Sequence, residues 1–237
     1  MKNRLQTPHK PQCRAGTSII LRLVALLFVL LLNAGPSLSQ TCSEPADTPY
    51  TLGANEVLPR NMTRNQRHVY QLPLLQRQYA RVVVDQKGVD VVVRVLDPNK
   101  QLITERDSPN GKFGPEAISV VAQTTGTYVF EVCAGRSEPA AGYQLRVEGP
   151  RESTGNDEKR VTAEQTLMEA RKLAAQRKPE TLTSAIEQLN KALQTWREIS
   201  DAREEGYALS NIGDAYRFLL NFAEAKKHFD LALARLA

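Results

Sequence analysis

Beyond the first thirty-nine residues, the side chains that could form a Cys-His nucleophile pair are few: Cys42, Cys133, His68 and His228. A thiol becomes a working nucleophile when a base lies within hydrogen-bond reach. His68 with Cys133 is the pair that a strand-rich fold could bring together, but Cys133 stands in a plain Val-Cys-Ala stretch. The chain holds no HExxH, no CxxC and no phosphate-cradling glycine loop. His228, beside Lys226, Lys227 and Asp230, reads as a residue on a solvated helix face. Asp85, Asp90, Asp97 and Asp107 invite a calcium reading. Calcium takes about six to eight clustered oxygens, whereas this spacing matches no loop motif and strand-end aspartates usually cap turns. The expectation is a chain with no catalytic residues, no cofactor and no metal.

Such a chain acts through its surfaces, so the elements that build them matter more. The formal charge of +5 belongs to the N-terminus. Residues 1–39 carry Lys2, Arg4, Lys10, Arg14 and Arg22 and no acid, and the rest balances 26 basic side chains against 26 acidic ones. A balanced remainder leaves no phosphate-binding stripe, which argues against nucleic acid. The same segment has LVALLFVLLL at 23–32, then AGP, then Ser37-Leu38-Ser39. This pattern predicts a signal peptide over 1–39 cut before Gln40, hence a periplasmic or extracellular protein. The apolar run is shorter than the ~20 residues of a spanning helix, so no stable membrane span is expected after cleavage; an uncleaved anchor is the alternative. In an oxidising compartment Cys42 and Cys133 form an even pair. They predict a disulfide tying the N-terminal arm to a strand end, with two separate thiols as the alternative.

Residues 40–54, rich in Pro, Thr and Ser, read as an irregular arm. From 55 to 148 the pattern is that of strands. Val82, Val83 and Val84 lead to VDVVVRVLD at 89–97; GTYVFEVCA at 126–134 and YQLRVE at 143–148 alternate. Asp97-Pro98-Asn99, Ser108-Pro109-Asn110-Gly111 and Thr125-Gly126 supply turns between them. Strands joined by short turns imply an antiparallel β-sandwich. GPRESTGNDEKR at 149–160 then reads as a linker or a helix entry. After it Ala, Glu, Leu, Lys and Arg dominate, and four helices are predicted at about 157–177, 180–199, 201–219 and 222–236. The fold class is therefore α+β in separate domains.

The helical part contains an echo. AIEQLNKAL at 185–193 returns forty residues later as AKKHFDLAL at 225–233. Small residues recurring at a fixed period mark a repeat array. Leu209, Ile212, Gly213, Tyr216, Ala225, Phe229 and Ala232 fall at the signature spacing of the tetratricopeptide family, which 201–237 resembles. Leu167, Ala170, Ala185, Leu189 and Ala192 in 161–200 resemble a degenerate first repeat, with Arg171 and Ala174 where the family has Gly and Tyr. The order of elements over 79–134 resembles the bacterial pre-peptidase C-terminal type of sandwich, which is jelly-roll-like. Together they resemble the front part of exported bacterial proteins that continue into a caspase-like CHAT peptidase domain. The first resemblance implies a protein or peptide partner held in a groove. Tyr207, Asn211, Asp214 and Phe218 form a stripe on helix 201–219 at spacings of four, three and four, with Arg217 beside it. In the family the position of Asn211 often binds a ligand's backbone.

The resulting expectation is an exported, non-catalytic binding scaffold. One alternative is the front part of a CHAT-type cysteine peptidase whose catalytic domain is missing. Another is envelope or polysaccharide binding by the sandwich, whose aromatics are Tyr70, Tyr79, Phe113, Tyr128, Phe130 and Tyr143. Two repeats bury little core by themselves, and Phe222, Phe229, Leu233 and Leu236 crowd the last helix. Self-association, or packing of the helices against the sandwich, is therefore expected.

Overall fold

A computed structural model describes residues 48–134 and 140–236. Residues 1–39, read above as a signal peptide, the arm up to residue 47 and Cys42 lie outside the described residues. Nine strands come first: β1 Tyr50–Thr51, β2 Val57–Met62, β3 Arg67–Leu74, β4 Gln78–Lys87, β5 Val91–Leu96, β6 Leu102–Arg106, β7 Phe113–Val121, β8 Gly126–Ala134 and β9 Ala141–Glu152. Four helices follow: α1 Gly155–Ala174, α2 Pro179–Glu198, α3 Ala202–Phe218 and α4 Phe222–Leu236. No helix among the described residues is long and apolar enough to cross a membrane.

The strands form two sheets, ordered β1-β3-β8-β5-β6 and β2-β9-β4-β7. Period-two alternation decides what each buries. Tyr128, Phe130 and Val132 of β8 meet Val82, Val84, Ile118, Leu145 and Val147 of the other sheet in one core. Two departures from the expected sandwich stand out. The β1–β3 pair is parallel, Tyr50 opposite Tyr70, so that sheet is mixed rather than purely antiparallel. The predicted arm also contributes β1 and the buried Leu52.

Of the two readings of 149–160, linker or helix entry, the structure has the helix entry, directly after a strand end. β9 continues to Glu152, and α1 begins three residues later. Gly149 makes the close approach possible: at φ 100°, a Cβ there would lie 2.7 Å from the Tyr79 carbonyl oxygen. Thr154 then caps α1 in a reciprocal box with Asp157, and Arg151 grips the same carboxylate at 2.6 and 2.7 Å. A polar, charged composition that suggested a flexible link is thus used for a cap and a bidentate ion pair. These bonds hold the Asp157 carboxyl below its ordinary pKa, although burial opposes them.

The helices pack in sequence, α1 on α2, α2 on α3 and α3 on α4. Their core joins Leu167, Ala170, Ala185, Leu189, Ala192, Trp196, Leu209, Ile212 and Ala232. Gly213 is a tight contact: a Cβ there would stand 2.7 Å from the Phe229 ring, so glycine lets the ring lie on the α3 backbone. The helices do not form a separate domain. The described residues fall in one compact unit, because α1 packs on β6 and β7, the end strands of the two sheets. An end strand exposes unpaired backbone N–H groups. On β7, Glu164 of α1 accepts from both the Ser119 N–H and its hydroxyl at 2.8 Å, closing that edge.

Candidate functional site

The stripe predicted on α3 starts beneath the sandwich. Tyr207 is only 7% exposed. The Arg106 guanidinium, from the end of β6, sits 5.6 Å from its ring centre, and burial raises its phenol pKa. Tyr207 is therefore a wall of the interface, not an open groove residue. From there the stripe runs out toward solvent. Asn211, half-buried, donates its side-chain N–H to the Tyr207 carbonyl at 2.7 Å. Its Oδ1 accepts no hydrogen bond among the described residues. Asp214 receives Arg217 at 2.9 and 3.1 Å. Phe218 lies between two guanidiniums, Arg217 at 4.4 Å and Arg177 at 4.7 Å from its centroid. Of these residues Arg217 is exposed and Asn211, Asp214 and Phe218 are half-buried, Phe218 packing against the helical core, and both ion-pair members are already engaged.

The positions that resemble a repeat signature occupy the α3–α4 contact. Leu209, Ile212, Ala225 and Ala232 are buried, and Tyr216 and Phe229 are half-buried. His228 is not a solvated face residue. Its ring stacks 5.3 Å from that of Tyr216, and Nδ1 bonds to the Glu224 carbonyl.

Other candidate chemistry separates. Cys133 is disulfide-bonded, so it offers no thiolate; its predicted partner Cys42 lies outside the described residues. His68 Nδ1 bonds to the Tyr143 hydroxyl at 2.6 Å, and that hydroxyl also meets Tyr70. Asp97 accepts from the Gln101 N–H in its turn. Asp107 pairs with Arg171 at 3.8 Å. Among the described residues, no three His, Cys, Asp or Glu side chains cluster to hold a metal. Of the six sandwich aromatics, Tyr70, Tyr79, Tyr128, Phe130 and Tyr143 are buried and only Phe113 is exposed.

The principal polar feature went unpredicted. Arg106 is buried between the sandwich and the helices, bonded to Glu204 of α3 at 2.7 Å and to Ser108 Oγ at 2.8 Å, with Glu116 of β7 at 3.9 Å. Glu116 is fully buried, and its Oε2 accepts the Ser108 N–H at 2.8 Å. Glu164 lies in the same layer. Burial pushes the Glu116 carboxyl up to about 7, against the pull of Arg106; burial and then Glu204 raise Glu164 too. Burial alone would lower the Arg106 pKa, but Glu204, Glu116 and Glu164 hold it above its ordinary range. The sequence signal was present: Glu116, Glu164 and Glu204 interrupt otherwise apolar faces. Their partner, however, comes from another part of the chain.

Glu116 makes stability depend on pH. A carboxyl with a raised folded pKa favours folding most below its ordinary 4.5, and that advantage is lost as the pH rises through about 7. Glu116→Gln removes the ionisable group while keeping an acceptor for Ser108. It is expected to match the parent near pH 4.5 and to exceed it at pH 8 by up to about 3 kcal/mol. Denaturant melts at the two pH values check this; equal stability at pH 8 would remove Glu116 from the interface titration.

No family model and no curated protein matches the chain. Solved structures do resemble it. The pre-peptidase C-terminal domain of a Bacillus anthracis collagenase matches at 14% identity over 44% of this chain and 98% of that domain, TM-score 0.36. Aeromonas hydrophila PliG, a periplasmic inhibitor of g-type lysozyme, matches at 18% over 44% of this chain and 98% of its own, TM-score 0.36. CorA, a surface-associated copper-binding protein of Methylomicrobium album BG8, matches at 10% over 45% of this chain and 100% of its own, TM-score 0.38. Each of these matches covers less than half of this chain.

Proposed function

We propose that this chain is an exported, non-catalytic binding protein whose four helices are two tetratricopeptide-type hairpins seated on a sandwich of pre-peptidase C-terminal type. Export is supported by the acid-free, apolar 1–39 segment and by the disulfide at Cys133. The partner, a protein or peptide, lies along α3 beside Asn211, Asp214, Arg217 and Phe218. One observation carries this reading: the face is preorganised. Asn211 is held by the Tyr207 carbonyl and Phe218 by two flanking arginines. Side chains already fixed lose little entropy on binding, and the Asn211 amide still has an acceptor to offer a backbone N–H.

The test uses a partner captured by the tagged protein from an envelope extract and then purified. Asn211→Ala is expected to weaken its binding by the worth of one hydrogen bond, about 0.5–1.5 kcal/mol or roughly 2- to 12-fold. Calorimetry on the two purified proteins reads this directly; an unchanged Kd takes Asn211 out of the site.

A further inference from the structure

A break in the regularity of the second sheet opens a cavity. β9 advances three residues, from Glu148 to Arg151, while its partner β4 advances two, from Arg81 to Tyr79. A bulge of this kind re-aims side chains and often lies beside a site. Here a cavity of about 460 Å³ opens at the bulge, where β4 and β9 meet the start of α1. That volume falls within the roughly 300–1,000 Å³ of small-molecule sites. Arg81, Arg151, Arg160, Glu148, Asp157 and Asn55 stand on its walls.

Most of these charges are already matched. Asp157 takes Arg151 at 2.6 and 2.7 Å, together with the Thr154 N–H and hydroxyl. Arg160 is held by Asp201 at 2.6 Å. Glu148 Oε1 accepts from Arg146 at 2.9 Å. Arg81 is the exception. Its Nε is buried with no hydrogen-bond partner among the described residues, and Glu148 Oε2, at 3.8 Å, is beyond hydrogen-bond reach. Glu164 and Asp201 feel its charge without bonding to it. With the side chain only 19% exposed, this guanidinium is short of acceptors. Asn55 is short of them too. Its Oδ1 accepts the Gly149 N–H at 3.4 Å, which leaves the Nδ2 donors to give. Glu148 Oε2, on a side chain 40% exposed, is the acceptor left over.

We propose that this cavity binds a hydroxylated monocarboxylate of sugar-acid size, its carboxylate on Arg81 and Asn55 and a hydroxyl on Glu148. The guanidinium fork matches a planar carboxylate through two parallel bonds. A dianion such as phosphate fits less well, because Glu148 and Asp157 stand on the same walls and repel a second charge. The site shares no residue with the α3 face at Asn211, so each stands or falls independently.

The probes are D-glucuronate and D-galacturonate, titrated into the whole protein by calorimetry, with D-glucose and inorganic phosphate for comparison. Saturable binding of a sugar acid is expected, at least about tenfold tighter than glucose or phosphate, the factor that one charge-assisted hydrogen bond supplies. Arg81→Gln, checked by circular dichroism, weakens it by at least about the same factor. Because that change also removes a charge near Glu164, Asn55→Asp provides a second variant. It keeps the acceptor for the Gly149 N–H and replaces a donor with a charge that repels the ligand, so it too lowers affinity, while Asn211→Ala leaves it unchanged. No saturable binding of either sugar acid, or binding indifferent to Arg81→Gln and Asn55→Asp, overturns the proposal. Glucose or phosphate bound as tightly as the sugar acids overturns it as well.

Discussion

Arg106→Ala is expected to destabilise the protein by about 3–5 kcal/mol at neutral pH, the usual cost of stripping one partner from a buried ion pair. Glu204 would lose its 2.7 Å bond, and Glu116 its nearest cation, both inside a layer from which water is excluded. The damage concentrates where the sandwich meets α3. Trp196, the sole tryptophan, lies in the helical core and reports unfolding of that layer by fluorescence. The loss should shrink toward pH 5, because Glu116, with a pKa pushed up to about 7, is then neutral and no longer needs Arg106. A second variant separates charge from packing. Replacing Arg106, Glu116 and Glu204 together by Met, Gln and Met should recover most of the loss, since neither partner of the Arg106–Glu204 pair is left alone and glutamine keeps an acceptor for the Ser108 N–H. Urea denaturation of both variants at pH 7.5 and pH 5 checks this. An Arg106→Ala protein as stable as the parent would show that the network holds nothing together.

Trp196→Ala is expected to cost a similar amount, about 3–5 kcal/mol, the range for deleting a large buried aromatic. Trp196 is fully buried in α2, and the Arg160 guanidinium sits 5.7 Å from its ring centre. Arg160 also pairs with Asp201, the cap of α3, at 2.6 Å. One ring therefore fills the space where α1, α2 and the start of α3 converge. Trp196→Phe should cost much less, about 1 kcal/mol, as it removes part of the ring and an indole N–H that has no hydrogen-bond partner among the described residues. Thermal unfolding followed by circular dichroism distinguishes them. Equal losses for Ala and Phe would mean the N–H, not the ring volume, matters at this site.

The two mutations bear on different levels of legibility. Trp196 was readable as part of a helical pattern, because apolar residues at helical spacing must be buried together. The sandwich was readable for the same reason, from alternation in 126–134 and 143–148. Local periodicity also placed the four helices, whose ends agree with the expected ranges within a few residues. The parallel β1–β3 pair escaped this reasoning, since two residues carry no period. The segment 149–160 stayed open between a linker and a helix entry, because cap residues and linker residues are chemically alike.

For the site, the sequence determined the stripe Tyr207, Asn211, Asp214 and Phe218, because helical spacing puts those residues on one side whatever surrounds them. It could not determine what covers that side. Only the tertiary structure brings Arg106 onto Tyr207 and Glu204, almost a hundred residues later in the chain, and leaves Asn211, Asp214 and Phe218 half-buried. The reason is physical. Periodicity is a property of neighbours along one helix, whereas burial depends on which distant element reaches it, and a lone charge inside an apolar pattern gives no address for its partner.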